Sequence, residues 1–369
     1  MTTSSYRPLQ PQKFIVEAAI RHSDLCHQIL RRFPRIPIET IPDANVWLHA
    51  DKATESSLSD SGTILLAKQR GPFLRLCPGT QRHICCLYHN LDIAAGCDLS
   101  CSYCILQGYL NSPIITLYCN LDDMYRELDS TLRAHGNLFY RIGTGELSDS
   151  LTFDHINHLG PDLVGYFSTK SNAIIELKTK SIQIENLLGL QHHRRTVVSW
   201  SLNSEHIQGS EESLTPTMDE RLAAAQEIQR AGYRLGFHFD PMIYYPNWET
   251  GYREIVEKIF RFARAENIAW ISLGALRYPQ AFDDIVRNNH PNSEIVLGEL
   301  LPGIDKKLRY FRPLRIEMFR TMNQWIKKLA PEVMVYLCME SKDVWNRALG
   351  WSPRNSAELK RLLDDRVRQ

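Results

Sequence analysis

Between residues 89 and 280, short apolar runs alternate with amphipathic stretches, and this alternation limits the fold more than any other feature of the chain. Residues 90–96, 138–146, 173–181, 196–204, 233–245 and 268–278 read as strands. Residues 120–136, 151–159, 218–232 and 251–266 carry helical spacing, the third of them alanine-rich and closed by Gly232. Strands separated by helices pair in parallel, because the crossover returns the chain to the same end of the sheet. The expected class is α/β. Six such units are too few for a closed eight-stranded barrel but suit an open, partial (β/α)6 barrel. Chemistry in such folds gathers at the C-terminal strand ends. Cys97, Glu146, Lys180, Asn203, Asp240 and Arg277 stand there, each at the end of a different strand.

Around this unit we divide the chain into an N-terminal region (1–84), the barrel (85–280) and a C-terminal extension (281–369). In the first, residues 14–33 have helix-like spacing, and 44–52 and 63–69 read as short strands. In the last, helices near 314–329 and 355–367 flank a strand at 333–339. No apolar run approaches the roughly 20 residues that a membrane-spanning helix needs. The polar start lacks the basic-then-apolar pattern of a secretory leader, so a cytoplasmic protein without a membrane partner is expected.

The net charge of +1 shows no global excess for a polyanionic partner. Basic residues do cluster at 192–195 and at Lys306, Lys307, Arg309, Arg312 and Arg315. Tyr310 and Phe311 interleave the second cluster and could stack on bases, which makes DNA a candidate partner; a solvated helix face is the plainer reading. Nine cysteines, an odd number in a chain without a leader, argue for metal binding or burial rather than a disulfide framework.

Cys97, Cys101 and Cys104 form a Cx3CxxC arrangement on the loop leaving the first strand. Thiolates suit iron–sulfur clusters, and three of them leave one iron of a [4Fe–4S] cubane open. S-adenosylmethionine (SAM) can chelate that iron, and an electron from an outside donor of the flavodoxin or ferredoxin kind then cleaves the sulfonium to give a 5′-deoxyadenosyl radical. Zinc is a competing reading that needs a fourth ligand, for which Cys85, Cys86 and Cys119 are candidates; simple burial is another. Gly143 and Gly145 would let backbone approach the SAM amino group. Ser148 would bind a ligand or cap a helix. Lys180 would pair with the SAM carboxylate or sit in solvent. Ser201 and Asn203 would hydrogen-bond ribose or carboxylate. Tyr103, inside the cysteine motif, and Glu146 are the candidate catalytic groups.

Residues 95–107 resemble the spore photoproduct lyase family of radical SAM proteins. So do residues 145–149, 178–181, 198–205 and 214–255. The resemblance covers about residues 85–280. It implies the partial barrel, a [4Fe–4S] cluster and SAM, with Ser148, Lys180, Ser201 and Asn203 at SAM contacts and Tyr103 as the family's tyrosine within the cluster motif. It also implies reversal of a thymine dimer lesion in DNA by hydrogen abstraction from the lesion's methylene bridge. Two departures stand out. Ile105 replaces a tyrosine after the last cluster cysteine, and Glu146 replaces the cysteine that returns a hydrogen atom to the substrate radical. Either another group such as Cys119 or Tyr103 is the donor, or the substrate needs no return step; we prefer the second. The expectation is SAM cleavage without efficient repair of spore photoproduct. A peptide or small-molecule substrate is the alternative. A non-catalytic metal-binding protein of this fold is another, though it leaves the polar groups at all six strand ends unexplained.

Overall fold

The computed structural model describes residues 6–49, 62–80, 82–110 and 112–368. An eight-stranded sheet dominates it. Its parallel strands are β1 (His89–Leu91), β2 (Tyr140–Gly143), β3 (Ala173–Thr179), β4 (Thr196–Ser201), β5 (Arg234–Met242), β6 (Ile268–Ala275) and β7 (Val335–Leu337). They lie side by side in chain order, and Leu74–Leu76 runs antiparallel along the outer edge of β1. Helices α1 (Leu121–Ala134), α2 (Leu159–Ser168), α3 (Met218–Arg230), α4 (Trp248–Phe262) and α5 (Arg312–Leu329) supply crossovers. The result is the expected open α/β half-barrel. Its seventh parallel strand comes from the stretch read above as part of the C-terminal extension, and pairs Leu337 with Leu273 of β6.

Local chemistry explains the helices. Thr217 caps α3 with a full capping box: its hydroxyl accepts the Glu220 N–H, and the Glu220 carboxylate accepts the Thr217 N–H. Leu222, Ala225 and Ile228 of α3 are fully buried. Along β5 the side chains alternate. Leu235, Phe237 and Phe239 share one face, while His238 and Asp240 share the other with Gly236. A Cβ on Gly236 would meet Ser199 Oγ at 2.3 Å, so glycine there admits the polar side chains of the barrel interior.

Three local readings need correction. Residues 44–48 are a helix (Ala44–Leu48), not a strand, because Asp43 accepts the Val46 N–H and nucleates a turn; residues 50–52 lie outside the described residues. The stretch 14–33 divides into a strand (Lys13–Glu17), a 3-10 turn (Ala18–Ile20) and a helix (Asp24–Arg32) capped by Ser23. Residues 90–96 divide between β1 and a short strand, Ala94–Ala95, in a second sheet. That sheet runs Ile38–Ile41, Lys13–Glu17, Thr63–Ala67, Ile115–Tyr118, Ala94–Ala95. Among the described residues, no helix is long and apolar enough to cross a membrane.

Candidate active site

The second sheet sets the cysteine loop. Ala94 and Ala95 pair with Leu117 and Thr116, and Gly96 then turns at φ +92° against Ile115, whose Cα would lie 3.2 Å from a Cβ. A side chain at 96 would displace the loop, which accounts for glycine directly before Cys97. Gln107 Nε2 donates to the carbonyls of Cys101 and Ser102 (3.2 and 3.1 Å), and Thr152 donates to Asp98 at 2.6 Å. Cys101 is buried, while Cys97 and Cys104 are half-buried. Burial pushes all three thiols up, Cys101 to about 11 even with Lys180 beside it. The metal-free loop therefore carries neutral thiols, and loading iron must release their protons.

Among the described residues, no three His, Cys, Asp or Glu side chains are placed to share one ion. A zinc site requires such convergence. A cubane does not, because each cysteine binds its own iron. The donor set, three thiols on one loop and no clustered fourth ligand, thus fits the cluster better than zinc.

Lys180 joins this loop to the end of β3. Its Nζ lies 3.3 Å from Cys101 Sγ, 2.8 Å from Tyr103 Oη and 3.7 Å from Glu212. Tyr103 donates to Glu212, and Arg221 of α3 pairs with the same carboxylate at 2.6 Å; Glu212 and Arg221 are both fully buried. Burial opposes ionisation of Glu212, but the Lys180 and Arg221 charges hold its carboxyl down at about 2. Asn203 donates to Glu212 (3.3 Å) and to the Pro241 carbonyl (3.2 Å), and accepts from Tyr252 at 2.5 Å. Asp149 ties the β2 and β3 ends together by accepting from Thr179 Oγ1 (2.6 Å) and the Lys180 N–H (2.7 Å).

Tyr103, Lys180 and Asn203 therefore meet in one polar cup beside the cysteines. The other sequence candidates lie around it. Ser148 is buried and donates to the Asp149 carbonyl at 3.3 Å. Ser201 is half-buried, with its carbonyl engaged by Arg221 at 2.9 Å. Gly145 packs on β3: a Cβ there would lie 3.0 Å from the Lys178 carbonyl. Gly143 faces Tyr88, whose hydroxyl would sit 1.4 Å from an added Cβ. Glu146 is exposed on the rim; desolvation by the surrounding protein raises its carboxyl despite nearby Lys178. Arg277 already holds Asp240 through two hydrogen bonds (2.8 and 3.1 Å). Cys119 is buried beside Cys26, under the second sheet.

Sequence reading missed Glu212, which lies outside any motif, and did not single out Arg221 and Tyr252 within the 214–255 stretch, because they sit on helices away from the strand ends. It also missed the interior network below the cup. There Glu176 accepts from Trp270 Nε1 at 3.0 Å, contacts His238 Nε2 at 2.9 Å and receives the Ser199 hydroxyl. Burial raises the Glu176 carboxyl, but His238 and Ser199 outweigh it and bring it down to about 2. The basic clusters fare unequally. Residues 192–195 precede β4, so they lie at the opposite end of the sheet from the cysteine loop. Arg309 and Arg315 are buried against Asp305 (2.6 Å) and Glu340 (2.8 Å), which leaves Lys306, half-buried Lys307, Arg312 and exposed Phe311 on the surface.

The family model for spore photoproduct lyase matches residues 86–312. The chain is 26% identical over 257 residues to the spore photoproduct lyase of Geobacillus sp. (strain Y412MC61), covering 67% of this chain and 75% of that one. It is 26% identical over 214 residues to that of Bacillus subtilis (strain 168), covering 57% and 63%. Among solved structures, spore photoproduct lyase complexed with dinucleoside spore photoproduct superposes with a TM-score of 0.79 at 22% identity, over 90% of this chain and 100% of that chain. A double mutant with bound AdoMet and the same dinucleoside gives 0.80 at 22% identity, with the same coverage. The match to well over half of the chain, on a fold with its cysteines at the barrel mouth, places this protein in the spore photoproduct lyase family of radical SAM enzymes.

Proposed function

We propose that the chain holds a [4Fe–4S] cluster on Cys97, Cys101 and Cys104, binds SAM in the adjoining cup, and acts on a base-derived lesion in DNA. One observation carries this reading. Lys180 reaches both Cys101 (3.3 Å) and Tyr103 (2.8 Å) while Asp149 pins its backbone, so the cysteine loop and the strand ends form a single site. When bound, the cluster and SAM would supply a 5′-deoxyadenosyl radical there. The chain's own groups then have distinct tasks. The Lys180 ammonium suits a carboxylate, its charge held by Glu212 against the cost of burial. Asn203, fixed by Tyr252, and Ser201 present polar atoms at the end of β4. Ser148 and the backbone at Gly145 line the β2 end. Glu146 stands on the rim, where it can take up or release a proton.

The nucleic-acid assignment rests on the small sheet formed by Arg277–Pro279, Leu301–Pro302 and Lys307–Arg309. It follows β6 directly and carries Lys306 and Lys307, with Phe311 60% exposed beyond it. Cationic groups suit phosphates, and an exposed ring suits an unstacked base. An electron donor of the flavodoxin or ferredoxin class completes the scheme.

Anaerobic reconstitution tests the proposal. The expected result is about four irons and four sulfides per chain, 5′-deoxyadenosine formed from SAM under reduction, and DNA affinity that falls with salt. Alanine at Cys97, Cys101 or Cys104 should abolish iron loading. Full loading in any of these variants, or stoichiometric zinc in place of iron, would refute it.

A further inference from the structure

The loop that carries the cysteines is fastened to part of the small sheet's own chain. Between the strands Arg277–Pro279 and Leu301–Pro302 the chain makes an excursion, residues 280–300, that includes the helix Phe282–Asn289. Glu211 is the first fastening. Ser102, between the second and third cysteines, donates its hydroxyl to the Glu211 carboxylate and its N–H to the Glu211 carbonyl at 2.9 Å. From the excursion, Ser293 Oγ donates to the same carboxylate at 2.6 Å and the Glu294 N–H at 3.4 Å. Ser102, Glu211 and Ser293 are all buried. Gln107 is the second fastening. Its Nε2 holds the Cys101 and Ser102 carbonyls, while its Oε1 accepts from Asn289 Nδ2 at 3.0 Å and lies 3.1 Å from His290 Nε2. Gly108 lets the excursion's helix close in, since a Cβ there would lie 3.2 Å from Ile285 Cδ1 and 3.6 Å from Phe282.

A buried carboxylate is stable only while donors surround it, and losing one leaves an oxygen without its partner. The side-chain donors to Glu211 come from two segments, one among the cysteines and one in the excursion, so neither can shift without that cost. Gln107 works in the same manner. One planar amide turns its N–H groups to the loop and its oxygen to the excursion, so a rotation that frees one side breaks the other. Glu212, next in the chain, receives Tyr103, so Ser102–Tyr103 lie zipped against Glu211–Glu212. The excursion is tied in turn to the surface cations. Tyr278 and Pro279, which lead into it, pair with Leu308 and Lys307; Leu301 and Pro302, which leave it, pair with Arg309 and Leu308.

We propose that Gln107 and Glu211 are positioning residues that make the cysteine loop and the small sheet order together, so that cluster loading and nucleic-acid binding favour each other. This rests on the cluster and DNA readings above. The two side chains act through the residues they grip, not on reacting atoms. Iron held by Cys101 and Cys104 fixes the Cys101 and Ser102 carbonyls and the Ser102 hydroxyl. The grip then carries to Asn289, His290 and Ser293, and through the strand pairs to Lys307. Nucleic acid held at Lys307 and Phe311 works the same contacts in reverse, with an equal coupling free energy.

Two measurements test it, and neither depends on turnover. The first is amide hydrogen exchange of the metal-free protein with and without a short duplex of undamaged DNA. In wild type, DNA should slow exchange over residues 280–311 and also over 101–107, where the Ser102 N–H is itself one of the contacts. In Asn289→Ala/Ser293→Ala, protection should stop at 280–311. The second is DNA affinity by fluorescence anisotropy. Cluster-loaded wild type should bind about fivefold or more tighter than metal-free protein. In the double variant, and in Gln107→Met approached from the loop side, that ratio should fall below about twofold, with iron loading of the double variant unchanged. Protection confined to 280–311 in wild type, equal affinity of loaded and metal-free protein, or an undiminished ratio in the variants overturns this proposal alone. No protection by DNA anywhere overturns the DNA reading and this coupling with it; failure to load iron overturns the cluster reading first.

Discussion

Replacing Glu212 with glutamine should destabilise the protein by about 3–5 kcal/mol at neutral pH, the usual cost of leaving a buried charge unpaired. Glu212 and Arg221 are both fully buried at 2.6 Å, so glutamine keeps the shape while leaving the guanidinium without its countercharge. The pH dependence gives an independent figure. The carboxyl falls from 4.5 to about 2 on folding, a difference of about 3 kcal/mol at roughly 1.4 kcal/mol per unit. Because the folded value is depressed, this stability is complete above about pH 5 and is lost as pH drops toward 2; by pH 3 about 2 kcal/mol of it is gone. Reversible urea unfolding of wild type and Glu212→Gln between pH 7 and pH 3 measures both quantities. The gap between the two proteins should be widest at pH 7 and should narrow by about 2 kcal/mol at pH 3. In the double variant Glu212→Gln/Arg221→Met, the two losses should fall short of additive by about 1–3 kcal/mol. A penalty below 1 kcal/mol at pH 7, or a gap that does not change with pH, would refute the reasoning. The same substitution removes the countercharge of Lys180 and leaves Tyr103 only a neutral amide oxygen to donate to, so it should also lower iron retention without altering the cluster ligands.

Gly143→Ala should cost about 1–3 kcal/mol, since the new methyl would sit on the Tyr88 hydroxyl; in a Tyr88→Ala background, its increment in urea unfolding should drop below about 1 kcal/mol. Thr217→Ala should cost about 1 kcal/mol in the same assay by removing the α3 cap, with amide exchange rising first at Asp219 and Glu220.

The parts of the fold carried by local patterns were legible from residues alone. Alternating apolar runs announced β2 to β6, because a strand buried on both faces needs a continuous apolar stretch whatever surrounds it. The cysteine loop was legible because its donors lie seven positions apart at most, close enough for backbone geometry alone to group them. Asp43 and Ser23 were local signals too, but their caps lay inside apolar spacing that fits either strand or helix.

What the chain alone could not show depends on segments that are distant in sequence. Glu212 carries no motif; it matters because α3 brings Arg221 beneath it while the end of β3 brings Lys180 above it. Gly143 suggested room for a ligand, yet the space over it belongs to Tyr88 from another strand's approach. Cys85 stood in the sequence as a candidate zinc ligand, and only the Ile84–Glu340 bridge shows that its segment closes against the end of β7. Spacing along the chain therefore determined the parallel sheet and its triple-thiol loop. Only tertiary closure decided which charges were buried together, because ion-pair strength depends on neighbours and solvent exclusion that no short stretch of residues sets.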